Sequence, residues 1–155
     1  MLLWYRVVYG RALRVGRGVS FRKGWNVMIA PGAKVDIGEN CFFNNYCTID
    51  ALSGVSIGNN CLFAESVKLY DNNHRFSGGS DILIREQGAK TEPIVIGDDC
   101  WLASNVVVLK GARIGSHCVI GANCVVDGFV PDNSIVRLGN GLDISPIIYR
   151  GGVGK

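Results

Sequence analysis

Apolar residues recur at every sixth position over much of the chain: Ile37, Phe43 and Ile49, then Ile57, Phe63 and Leu69, then Ile96, Leu102, Val108, Ile114, Ile120 and Val126. A weaker register runs through Val15, Phe21 and Val27, with Ile29 and Val35 leading into the main one. In five units glycine follows the aliphatic residue directly, at Gly38, Gly58, Gly97, Gly115 and Gly121. A period of six matches neither an α-helix, which repeats near 3.6, nor an alternating strand, which repeats at two. It fits a coil of three short flat strands per turn, in which every sixth residue points inward. Each corner then needs a compact or left-handed backbone, and Asn40, Asn60, Asp99, Asn105 and Asn123 stand where such a corner falls. Successive turns are expected to stack at roughly 4.8 Å through parallel backbone hydrogen bonds.

Cysteine placement checks this register independently. Cys41, Cys47, Cys61, Cys100, Cys118 and Cys124 each lie four residues after a repeat aliphatic, and the same slot holds Ser53, Val67, Val106 and Ala112. The slot reads as small and inward-facing, so the thiols are small core hydrophobes rather than nucleophiles. No C-x-x-C spacing occurs, so neither a disulfide framework nor structural zinc is supported.

The rhythm stops between Leu69 and Ile94. The polar, turn-rich stretch from Tyr70 to Pro93 is expected to leave one corner as an arm, and long loops in compact repeats are functional or mobile. The expected organisation is an N-terminal cap segment over 1–14, a coil over 15–138 with the extruded loop 70–93, and a C-terminal tail over 139–155.

Composition agrees with an all-β single domain: 155 residues, 48% hydrophobic and only 19% charged, with 21 glycines for tight corners. The net charge is +3, and the basic residues are scattered apart from Arg11, Arg14, Arg17, Arg22 and Lys23, too thinly for a nucleic-acid stripe. Met1 to Tyr9 is interrupted by Arg6 and is too short for a membrane span or a secretory leader. It is expected to cap the core, with an amphipathic foot on a membrane surface as the other reading, and the protein is expected in the cytoplasm.

The Ile-Gly hexapeptides, the arm segment Asn72-Asn73-His74-Arg75-Phe76 and the run Ile96-Gly97-Asp98-Asp99-Cys100-Trp101-Leu102 resemble the hexapeptide-repeat acyltransferases over residues 15–138. The likeness is to the galactoside and maltose O-acetyltransferases and their polysaccharide-modifying relatives. It implies a left-handed parallel β-helix, a three-fold homotrimer with active sites in the clefts between subunits, and acetyl-CoA as co-substrate without a metal. The implied acceptor is a sugar hydroxyl, with a bacterial surface polysaccharide or its precursor as the expected class.

Residue by residue, the resemblance makes His74 the catalytic base, a role suited to an imidazole because its ordinary pKa lies near neutrality. Asn44 and Asp50 match substrate-binding positions, with Trp101 beside the thioester. Ser104 and Ala122 match backbone contacts to the coenzyme, the Ser104 N–H as oxyanion donor, and Lys110 and Arg137 are candidates for its phosphates. Each has a plainer reading: Asn44 as a corner residue, Trp101 as cover for sheet surface, Lys110 as a solvated lysine. His117, between Ser116 and Cys118, is expected to be a solvated corner residue. The implied mechanism is direct transfer between two bound substrates, since no nucleophile accompanies the base.

The chain departs from the galactoside branch in two places. It has about fourteen residues where that branch carries a helical segment, and it reads Gly139-Asn140-Gly141-Leu142 where a Gly-Asn-Pro-Ala stretch closes the last coil. An N-acyltransferase acting on an amino sugar and a non-catalytic scaffold remain open alternatives. A zinc enzyme on the same coil needs three histidines, and the chain has two.

Overall fold

The inward period of six builds a solenoid of three parallel sheets about one core. The computed structural model describes residues 2–78, 81–139 and 142–146. Sheet A stacks Leu13–Val15, Lys34–Ile37, Gly54–Ile57, Ile94–Ile96, Arg113–Ile114 and Phe129–Val130. Sheet B stacks Ser20–Phe21, Phe42–Phe43, Leu62–Phe63, Trp101–Leu102, Val119–Ile120 and Ser134–Leu138, with Leu142–Pro146 added antiparallel at its end. Sheet C stacks Asn26–Ile29, Thr48–Ala51, Lys68–Tyr70, Val107–Leu109 and Val125–Val126. The chain visits A, B and C in turn, so each turn lies one strand above the last.

All twelve residues of the main register are buried, and like residues stack. Phe21, Phe43 and Phe63 form an aromatic column with centroid spacings of 5.4 and 4.4 Å, continued in register by Leu102, Ile120 and Val136. An open solenoid end would leave such a column wet. The helix α1, Leu2–Tyr9, closes it: Tyr5 packs edge-on against Trp25 at 5.2 Å, and the Tyr9 hydroxyl donates to the Val27 carbonyl at 3.1 Å.

The corners carry the strain. Asn40, Asn60, Asp99, Asn105 and Asn123 all adopt left-handed backbone, with φ between 52° and 61°. So does Asn133, and so do Tyr46, Ser66 and His117, where residue type gives weaker notice of it. The glycines after the inward isoleucines serve a different need, close approach between turns. A Cβ on Gly38 would lie 2.5 Å from the Gly58 carbonyl oxygen, a contact that real Cβ atoms do not make.

All six cysteines are buried, and their thiols donate to carbonyls of the next turn, as Cys61 Sγ does to Gly97 at 3.2 Å. Burial pushes the Cys47 thiol up to about 11, which removes the thiolate a nucleophile needs. Ser53 corrects the sequence reading. It is exposed, because the corner between sheets C and A holds two extra residues in the early turns, and Ala51 and Val55 take the inward places.

Gly38→Ala is expected to cost about 1–3 kcal/mol through the forced separation of two turns. Asn60→Gly, at a left-handed position, should change stability far less. Urea unfolding compares them, and equal losses would refute the close-approach account.

Candidate active site

The chain leaves sheet C after Tyr70 and re-enters sheet A at Ile94, and the excursion begins and ends as a hairpin. Asn72–His74 pairs antiparallel with Ala89–Thr91, placing His74 opposite Ala89. The Arg75 N–H donates to the Gly88 carbonyl at 3.0 Å and its Nε to the Ala89 carbonyl at 3.1 Å. The His74 ring is exposed and has no hydrogen-bond partner among the described residues. It borders a cleft of about 810 Å³ shared with Phe76, Glu86, Lys90 and Lys110.

What holds this hairpin is a residue the sequence reading passed over. Asp71 is fully buried, and its carboxylate accepts three backbone N–H groups from the preceding turn's corner: Leu52 at 2.7 Å, Ser53 at 2.7 Å and Gly54 at 2.5 Å. Its own carbonyl accepts the Glu92 N–H at 2.9 Å, so both legs of the arm are tied at one point. The lengthened corner at residues 52–54 forms the backbone nest that this carboxylate fills. His74 stands three residues beyond it.

Asp50 lies in sheet C below the arm, beside a cleft of about 480 Å³ bordered by Trp4, Tyr9, Asn26, Thr48 and Tyr70. Its Oδ1 is buried with no hydrogen-bond partner among the described residues. Burial pushes its carboxyl up, Asn72 opposes the shift by hydrogen bonding, and the Asp71 charge adds to it.

The other candidates sit on the far edge of sheet C, where it meets sheet B. Asn44, Ala64, Ala103 and Gly121 form one column there, each N–H bonded to the turn above. Asn44 turns its Oδ1 back onto the Asn45 N–H at 2.8 Å and accepts from Arg22 at 3.4 Å, so the corner role is real and its Nδ2 has no partner among the described residues. Ala64, Ala103 and Gly121 carry no acceptor. The N–H groups of Glu65, Ser104 and Ala122 therefore have no partner among the described residues. The opposite corner, between sheets A and B, contrasts with this: there Asn59, Asp98, Ser116 and Asp132 each cap an N–H of the turn below at 2.6–3.1 Å.

Trp101 projects from sheet B between Leu62 and Val119, half-exposed, beside Asp99 and His117. His117 is an exposed left-handed corner residue, its Nδ1 3.0 Å from Asp99 Oδ2. Arg137, in the strand Ser134–Leu138 of sheet B, donates to Ser145 Oγ at 3.3 Å. Within one chain, then, His74, Lys110 and Asp50 gather toward the arm, while Asn44, Ser104 and Ala122 line the other edge. Ser104 and Lys110 are six residues apart across one strand, at most about 20 Å of extended chain.

Residues 93–128 match the family described as "Bacterial transferase hexapeptide (six repeats)", and residues 34–62 match "Hexapeptide repeat of succinyl-transferase". The chain belongs to the hexapeptide-repeat transferases. WbbJ of Escherichia coli strain K12, a protein named for lipopolysaccharide biosynthesis and O-acetyl transfer, is 35% identical over 104 residues, covering 63% of this chain and 53% of that protein. A galactoside acetyltransferase solved with coenzyme A superposes with a TM-score of 0.72 at 28% identity, over 89% of this chain and 66% of the other. A hexapeptide-repeat acetyltransferase from Vibrio cholerae, solved with acetyl coenzyme A, gives 0.77 at 23% identity over 96% and 78%, a likeness of fold. The chain spans about half the length, or less, of the first curated relatives it matches.

Two outcomes test this geometry. Asp71→Ala orphans three N–H groups and is expected to cost about 3 kcal/mol in urea unfolding, with faster amide exchange over residues 72–91 than in the upper coil. For Asp50, the folded state holds its proton more tightly than the unfolded state, so stability falls as pH rises through and above the ordinary Asp range. Asp50→Asn should thus raise the urea midpoint near pH 7 and leave it unchanged at about pH 3; a gain at both would refute burial as the cause.

Proposed function

We propose that this chain performs acetyl transfer from acetyl-CoA to a sugar hydroxyl, with His74 as the general base. The observation that carries the reading is the division of chemistry between two edges: an anchored imidazole on the arm, and a line of open backbone N–H groups on the opposite edge. The relative WbbJ and the galactoside acetyltransferase complex support the reaction class, and the name of WbbJ supports a surface-polysaccharide acceptor or its precursor.

The open edge fits a thin, extended thioester arm. Ala103-Ser104 and Gly121-Ala122 present small side chains beside free donors one turn apart, spaced for carbonyl and amide oxygens of a pantetheine chain. Acetyl-CoA supplies the activated acetyl group. His74 takes the proton of the acceptor hydroxyl as its oxygen attacks the thioester carbon, and returns that proton to the sulfur as the C–S bond breaks. The Ser104 N–H donates to the carbonyl oxygen as it gains charge, a contribution typically worth about 3 kcal/mol of barrier. Asp50 and the free Nδ2 of Asn44 bind acceptor hydroxyls, and Trp101 covers the thioester. Lys110 and Arg137 are the cations assigned to coenzyme phosphates.

Because the arm and the donor edge lie on opposite sides of sheet C, the productive site forms between copies, the arm of one meeting the donor edge of the next. A cyclic homotrimer closes this head-to-tail arrangement.

His74→Ala is expected to lower kcat by roughly two to four orders of magnitude while leaving coenzyme A affinity unchanged. Thiol release with a hydroxy-sugar acceptor reads the first and calorimetry the second; undiminished turnover would remove His74 from the mechanism. Blocking the donor edge with Ala122→Trp should also inactivate. Equal mixing of the two variants should then restore about one quarter of wild-type activity, since that share of shared sites pairs an intact arm with an intact edge. No recovery in mixed trimers would refute the shared site.

A further inference from the structure

Charge is distributed very unevenly along this chain. Residues 1–35 hold seven Lys and Arg and no Asp or Glu, whereas the remaining 120 residues hold nine against thirteen. In the fold this basic segment is the capping helix, the first turn and the start of the second, so the charge is gathered at one end of the prism. Two of the seven are matched from the next turn, Arg14 by Asp36 and Arg17 by Glu39 at 3.2 Å. The others have no acidic partner among the described residues.

The same end carries an apolar face that nothing covers among the described residues. Helix α1 turns Tyr5 and Tyr9 toward the core, and turns Trp4, Val7 and Val8 outward, with exposures of 61%, 77% and 50%. Trp4, Val7 and Val8 follow the i, i+3, i+4 spacing of one helical stripe. Arg6, reaching the Val15 carbonyl at 3.4 Å, and Arg11 flank the stripe, and both are exposed. An eight-residue helix does not cross a bilayer, and no helix among the described residues is long and apolar enough to do so.

We infer that this end of the prism docks on an anionic bilayer surface, with Val7 and Val8 at the acyl boundary and Arg6 and Arg11 among the headgroups. Apolar area and basic charge act together in such binding, and neither suffices alone at this size. A second copy is a poor occupant. An end-to-end two-fold pairing would set the same unmatched arginines against each other. The inference does not depend on the acetyl-transfer reading. For a transferase acting on polysaccharide precursors, it holds the coil end-on, with sheet C and its arm upright beside the surface.

The test is co-sedimentation of the full chain with vesicles of phosphatidylcholine alone, or of phosphatidylcholine mixed with phosphatidylglycerol. Pelleting is expected with the anionic vesicles, much less with the neutral ones, and should decline with added salt. Arg6→Glu/Arg11→Glu should lower the partition coefficient at least about tenfold. Val7→Ser/Val8→Ser should lower it as well, with unfolding midpoints preserved in both because all four side chains are exposed. Equal pelleting with neutral vesicles, indifference to either double variant, or a change only in oligomer size with Val7→Ser/Val8→Ser would overturn the inference, the last by showing that a second copy covers the face.

Discussion

Parallel strands that stack through backbone hydrogen bonds bring equivalent atoms of successive turns to a fixed, short separation, and every other feature of this fold answers to it. At the corner between sheets A and B the separation leaves no room for a Cβ, so Gly16, Gly38, Gly58 and Gly97 recur there. Two residues further on, the chain must reverse its curvature, and the left-handed φ of Asn40, Asn60 and Asp99 achieves it. The residue after each left-handed position turns inward into a small slot, and cysteine fills it at Cys41, Cys61 and Cys100. The thiol donates to the carbonyl above, so even this small residue ties one turn to the next.

A repeat this constrained writes itself into sequence, which is why the inward residues and most left-handed corners were legible there. Tyr46 and Ser66 were not, because the hydrogen bond each makes to the turn below, Tyr46 N–H to Lys23 and Ser66 N–H to Asn45, imposes the conformation whatever the side chain prefers. Ser53 misled for a related reason: two extra residues at its corner shift it off the register, and period alone does not reveal where an insertion is absorbed. Asp71 escaped notice because a single aspartate at the start of a polar loop reads as solvated. Only the folded corner at residues 52–54 shows three donors converging on it. His74 was singled out through its neighbours in the arm, and the open N–H groups of Ser104 and Ala122 stand out only beside the capped N–H groups of the opposite corner.

That contrast bears on how a rigid coil acquires chemistry. Sheet ladders consume nearly all backbone donors, leaving the corners as the places where a donor is spared. Along the corner between sheets A and B, Asn59, Asp98, Ser116 and Asp132 silence those donors with side chains, an arrangement that stabilises the stack. Along the corner between sheets B and C, alanine and glycine at 64, 103 and 121 leave them exposed at some cost in stability. Donors left unpaired in a stable framework are the pattern expected of a ligand edge, since fixed dipoles aimed at a bound carbonyl need no reorganisation when charge develops there.

The arm complements that edge by being what the coil is not. A side chain on a stacked strand has its direction set by the ladder, outward or inward, and cannot reach past the sheet to a substrate lying along a corner. An excursion can, but a free loop would surrender the positioning that catalysis requires. Burying Asp71 in the backbone nest of the turn below resolves the conflict: the carboxylate fixes the root where the hairpin departs, both legs are tied to it, and His74 follows before the chain reaches the exposed tip. The imidazole thus takes its direction from the coil while standing clear of it.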